Sequence, residues 1–138
     1  MKTLQLALAP GAIAGIVSIF TSWLWMGVVF HRFQRLTPNT WRPENSRSYA
    51  LSSAITFLSC IAIATFFLLV ARMGGVFAGG LIGALRFAAV AWMALSAPLI
   101  VTGAVFINLH PWFVVGRVVN ALTTSILACV ITAWWRGT

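Results

Sequence analysis

The chain holds a single acidic side chain, Glu44, against nine lysines and arginines, and only 7% of its 138 residues are charged. It has no aspartate. Paired carboxylates for general acid–base work are therefore excluded, as is a triad in which an acid orients a histidine. A calcium site lacks carboxylate ligands for the same reason, and a zinc site lacks a clustered set of ligands. Cation-coupled transport through a membrane-embedded carboxylate has nothing to use either. Cys60 and Cys129 are the only cysteines, and without clustered spacing they suggest neither a disulfide framework nor a metal knot. Both fall in apolar runs and read as small core residues. The expectation is a non-catalytic protein without a metal or resident cofactor.

What the chain does have is apolar surface. Hydrophobic residues make up 61% of it, and the mean hydropathy is +0.98. A soluble domain needs about a quarter of its residues charged to cover itself, so this chain must face lipid. Its net charge of +8 comes from scattered basic residues, which do not form a nucleic-acid surface. In a membrane protein such residues meet anionic lipid and set topology.

Four long apolar segments stand out, at about 6–30, 49–71, 80–107 and 112–135. Each is long enough to cross a bilayer, and unpaired backbone groups in hydrocarbon force each to be helical. The first resembles a signal peptide, with Lys2 and an Ala12-Ile13-Ala14 triplet, but its hydrophobicity runs on to Phe30 and it reads as an uncleaved span. Residues 1–138 thus read as one transmembrane domain, an all-α, four-helix up-down bundle with short connections. The first connection, "HRFQRLTPNTWRPENSRSY", holds four arginines and Glu44. The second, "RMGGVFAGG", is glycine-rich. The third, "NLHPW", places Pro111 where the first turn of a helix tolerates it.

With the first connection inside, that face carries Arg32, Arg35, Arg42, Arg47 and Arg117, and the other carries Lys2, Arg72, Arg86 and Arg136. The positive-inside rule then puts both termini outside. Trp23, Trp25, Tyr49 and Trp112 fall at the inner boundary and Trp134 and Trp135 at the outer one, as interfacial belts require. Trp92 falls deep in the third span instead.

Helical spacing marks the faces that pack. Gly11, Gly15, Ser18 and Ser22 form one small-residue stripe, and Gly75, Gly79 and Gly83 lead into the third span. Ser53, Thr56 and Cys60 share a face of the second span, and Arg117, Asn120 and Thr124 share one on the fourth. Such stripes let membrane helices approach and hydrogen-bond, and their functional reading is a polar pathway through the bundle. Pro98 removes one backbone bond and should bend the third span. The first and third spans both carry Trp and Met at similar depth ("SWLWM", "AVAWM"), the pattern of a two-helix duplication with both halves in one orientation.

Arg86, three residues after Gly83, is expected on the packed face, too far from Glu44 to pair with it. Its partner is then a backbone carbonyl, lipid phosphate, the Thr138 carboxylate or a bound anion. Arg117 is its counterpart near the inner face, within reach of Glu44. Both are candidate anion or lipid contacts, as Gly11, Gly15, Gly79 and Gly83 are candidate helix-packing positions. His31 and His110 end up at similar depth, where axial haem ligation is conceivable, but no attachment motif accompanies them.

The glycine-bearing first span ending in "SWLWMGVVF", the third span with Trp92 and a fourth span closing in "AWW" resemble a group of small four-span bacterial membrane proteins defined by a domain of unknown function. Where that group carries a Trp-Tyr pair near the end of the first span, this chain has Trp23-Leu24-Trp25. The resemblance implies a four-helix fold in the bacterial inner membrane and adds no activity. The expected role is structural or accessory, within a homo-oligomer or beside other membrane subunits. The alternative is a small oligomeric permease or channel for an anionic or neutral solute.

Overall fold

The computed structural model describes residues 2–41, 44–78 and 80–137. Helix α1 (Lys2–Ser22) continues as a π-helical segment, Trp23–Val29, and a short helix α2 (His31–Gln34) follows. A 3-10 turn at Pro38–Thr40 leads to α3 (Ser46–Arg72). The third span is α4 (Gly80–Ala91), a π-helical segment Trp92–Ser96, and α5 (Ala97–Phe106); α6 (Pro111–Trp135) is the fourth. Among the described residues four helical stretches are long and apolar enough to cross a membrane: Thr3–Val29, Ser46–Arg72, Gly80–Phe106 and Pro111–Trp135. The chain is an all-α bundle of the multi-pass membrane type.

Local chemistry explains the ends. Helix α3 begins earlier than hydropathy alone indicates because the Asn45 side chain accepts from the Ser48 N–H at 2.8 Å, capping polar residues onto the apolar run. At α6, His110 is the N-cap and Pro111 opens the helix, as the sequence predicts. Pro98 lies in the first turn of α5, directly after the π turn. The backbone thus answers the missing N–H by widening ahead of the proline. Both π segments open on a tryptophan of the Trp-and-Met pattern shared by the two spans.

Helices α1, α3 and α6 pack around one another, and α4 docks mainly on α6. The third span is therefore peripheral, and none of its most apolar window is buried. The close approach of α1 to α3 depends on glycine. A Cβ at Gly11 would lie 2.8 Å from Ile61 Cα, and one at Gly15 would lie 3.0 Å from Phe57 Cα. Gly83 is buried against the second connection, since a Cβ added there would run into the Phe77 carbonyl. Gly116, which the small-residue stripes do not include, makes room for the Phe30 ring. Gly79 lies outside the described residues.

The core occupies one half of the bundle. Ala7, Ala64, Phe67, Leu68, Ala84, Phe87, Ala88, Cys129 and Ala133 form one buried cluster, and Ala14, Cys60 and Ala128 extend it toward mid-bundle. Both cysteines are buried and free. Toward the first and third connections Phe113 and Gly116 are also buried, and the packing opens between the first span and α3.

Candidate functional site

The serine half of the α1 stripe begins where the glycine half ends. Ser18 is fully buried, and its hydroxyl accepts from the Cys60 thiol at 3.4 Å. One turn on, the Ser22 hydroxyl donates to Asn120 Oδ1 at 3.0 Å. Above that pair a cleft of about 430 Å³ opens between the first span and α3. Its floor is Ser22 and Asn120. One wall is Ile19, Trp23, Met26 and Gly27, the other Tyr49, Ser52, Ser53 and Thr56, and His31, Gln34 and Glu44 stand at the mouth. Asn120 is nine residues after Pro111, so the floor sits about 14 Å along the helix from that end.

Three polar faces legible in the sequence converge here: Ser18 and Ser22 on α1, Ser53 and Thr56 on α3, and Asn120 on α6. They do not form a path through the bundle, because the packed alanine, leucine and phenylalanine core closes the other half. Among the described residues the lining has one carboxylate and no lysine or arginine.

Glu44 belongs to the cleft and not to Arg117. Its Oε1 accepts from Gln34 Nε2 at 2.7 Å, and its Oε2 accepts from the Tyr49 hydroxyl. The carboxyl is thereby held below its ordinary range. The Tyr49 hydrogen bond is the main cause; slight desolvation opposes it, and Gln34, His31 and Arg35 add to the lowering. A depressed carboxylate contributes its stabilisation fully above the unfolded value of about 4.3 and loses it as pH falls through the folded value. The clip from Glu44 to Tyr49 and Gln34 should therefore hold at neutral pH and loosen only as pH falls through the lowered folded value. Proteolysis of the first connection should rise there in the native chain and stay flat with pH in Glu44→Gln.

The mouth is fixed on α6 by aromatic and polar contacts. Phe33 stacks on His110 with centroids 5.0 Å apart, and Trp41 meets Phe113 edge-on at 4.6 Å. Thr40 donates to the Asn108 carbonyl at 3.0 Å, so the first and third connections share one face of the molecule. Arg42 lies outside the described residues.

The two histidines have different surroundings. His31 lines the cleft, whereas His110 stacks on Phe33 and caps α6 by accepting from the Trp112 N–H at 3.3 Å. Among the described residues no cluster of three or more metal-binding side chains occurs.

Arg86 departs from its expected face. The buried side of α4 is Gly83, Ala84, Phe87 and Ala88, centred away from Arg86, and Arg86 is exposed. Its Nη1 donates to the Val76 carbonyl of the second connection at 3.4 Å, a backbone partner from the expected set. Thr138 lies outside the described residues. Arg117 is also exposed and makes no hydrogen bond or ion pair among the described residues. Trp92, out of place in an interfacial belt, donates its indole N–H to the Val118 carbonyl of α6 at 3.0 Å.

Sequence reasoning missed Gln34, Ser52 and Met26 as lining residues. Ser52 is within reach of pattern reading, because Tyr49, Ser52, Ser53 and Thr56 recur at i, i+3, i+4 and i+7. Gln34 and Glu44 meet only through the fold of the connection. Comparison with protein-family models, curated proteins and solved structures returns no match, so the functional reading rests on the cleft.

Proposed function

We propose that the chain is a non-catalytic multi-pass membrane protein of the permease type, which takes up a small neutral solute from its basic face. The observation that carries this is a polar cleft open at one end and closed by a packed core at the other. A cleft of this size with a few placed polar groups is what a small-molecule site requires. Because its lining offers a carboxylate and no cation, it favours neutral solutes over anions. Under the positive-inside rule the open end faces the cytoplasm and both termini face out. Arg86 and Arg117 are exposed and do not line the cleft, which supports a role for both as lipid-phosphate contacts.

The test is one-sided access. In a Cys60→Ala, Cys129→Ala background, Ser53→Cys should react with a membrane-impermeant maleimide at least about tenfold faster from the basic face than from the other. Vesicles holding the native chain should pass a small neutral solute faster than empty vesicles. Labelling from neither face, or labelling without flux, overturns the permease reading.

A second reading, an accessory subunit or homo-oligomer, is favoured by the third span. Val105 is 74% and Phe106 is 85% exposed, so α5 offers an apolar face that this chain does not cover. Native mass spectrometry from mild detergent that finds only single chains removes that reading.

A further inference from the structure

The two walls of the cleft differ in kind, and the difference specifies a ligand. On the first-span side the lining is Ile19, Trp23, Met26 and Gly27. Gly27 matters because a Cβ there would lie 3.2 Å from Trp23 Cδ1 and 3.4 Å from its Nε1. With hydrogen in that place, the indole folds back along its own helix and gives the wall an aromatic surface. On the α3 side every lining residue carries a hydroxyl: Tyr49, Ser52, Ser53 and Thr56. They lie on one helical face and span about 10 Å of rise.

The unused hydrogen-bonding capacity is mixed. Thr56 donates to the Ser52 carbonyl at 3.0 Å, which leaves its oxygen free to accept. The Ser52 and Ser53 hydroxyls make no hydrogen bond among the described residues. At the floor Asn120 accepts from Ser22 through Oδ1, which leaves the amide N–H groups to donate. At the mouth Gln34 donates to Glu44, which leaves Gln34 Oε1 to accept. Each Glu44 oxygen already receives one donor, so the carboxylate is not a bare site for a cation.

Resting on the permease reading, we infer that the solute is of the polyol class, a neutral molecule with a hydroxyl-rich edge for the α3 wall and an apolar face for Trp23. Hydroxyl groups both donate and accept, as the α3 wall and the floor require. An amide has too few groups to engage that length of wall, and a carboxylic or phosphate anion finds no cation in the lining. The same hydroxyl-rich edge is carried by a free sugar or cyclitol and by the headgroup of a neutral glycolipid. Exposed Trp23 and Tyr49 at the cleft put both sources within reach.

Calorimetric titration of the full chain in phosphatidylcholine nanodiscs separates them. The probes are D-glucose, myo-inositol and monoglucosyl diacylglycerol, with glycine betaine, acetamide and succinate as the other classes. Binding of a free polyol assigns the site to a soluble solute, and binding of the glycolipid alone assigns it to a lipid headgroup; either result supports the polyol class. Ser53→Ala and Thr56→Val, both mild changes, should each weaken binding about fivefold. Trp23→Ala should weaken it about tenfold while Trp23→Phe keeps most of it. Binding of betaine, acetamide or succinate without any polyol or glycolipid overturns the class but leaves the permease reading standing. Polyol binding that none of the three wall variants weakens places the site elsewhere and overturns the inference. No vesicle flux together with no binding of any probe brings down the permease reading itself.

Discussion

Gly11→Ala should sharply lower the amount and thermal stability of folded protein. Helix association inside a bilayer gains little from burying apolar surface, since lipid tails are as apolar as leucine. It depends on close van der Waals packing, which falls away steeply when helices are pushed apart. At Gly11 the added methyl would lie 2.8 Å from Ile61 Cα and 3.3 Å from the Ile61 nitrogen. Backbone atoms cannot rotate aside, so α1 and α3 must separate along the contact that also includes Gly15 and Phe57. Overpacking of this kind costs about 1–3 kcal/mol, against a folding margin of about 5–15 kcal/mol. The control is Gly103→Ala on α5, where an added Cβ meets nothing within 4 Å. Relieved of glycine's helix penalty, that variant should gain up to about 1 kcal/mol. Thermal melts in detergent, followed by size-exclusion of the surviving protein, should move the two variants in opposite directions. Equal melting of both would mean that α1 and α3 are not in contact at Gly11.

Asn120→Leu should abolish solute uptake while leaving the fold intact. The amide lines the cleft and accepts from Ser22 at its floor. In the variant the Ser22 hydroxyl can turn to a carbonyl one turn back on its own helix, as serines in helices do. The cost to stability is then at most about 1 kcal/mol. The effect on the solute is larger. Its innermost polar group would meet leucine in place of a donor, and leaving such a group unpaired costs about 1–3 kcal/mol, a loss of roughly ten- to a hundredfold in affinity. Uptake by reconstituted vesicles, normalised to folded protein, measures it. Asn120→Gln keeps an amide and should recover part of the activity. Native uptake in Asn120→Leu would mean that solute does not reach the floor.

Half of the cleft is legible in the sequence. The stripe Gly11, Gly15, Ser18, Ser22 and the faces bearing Ser53, Thr56 and Asn120 are periodicities that any helix displays. Periodicity reports which residues share a face, and it does not report how far apart two faces stand. The glycines of α1 touch the α3 backbone while Ser22, on the same stripe, borders open space. Arg86 shows the other limit. Its spacing from Gly83 suggests a shared face, but α4 turns Ala84 and Ala88 inward with Gly83, and that phase leaves Arg86 exposed. Glu44 is within sequence reach of Arg117 on the same side of the bundle, yet it pairs with Tyr49 and Gln34. A connection's side chains meet according to its path, which hydropathy does not encode.

By itself the sequence determined the lipid-facing surface, four helices, the start of α6 at Pro111 and the scarcity of carboxylates. These follow from composition and from the bilayer's demand that every backbone group be paired within its own segment. The tertiary structure alone decided that one half of the bundle is sealed and that the other holds a cleft between the first span and α3. It also decided that the third span stays at the periphery and that a hydroxyl wall faces an aromatic one. Those depend on distances between helices, set by contacts such as Gly11 with Ile61 and by the connection that Glu44 ties to Tyr49 and Gln34.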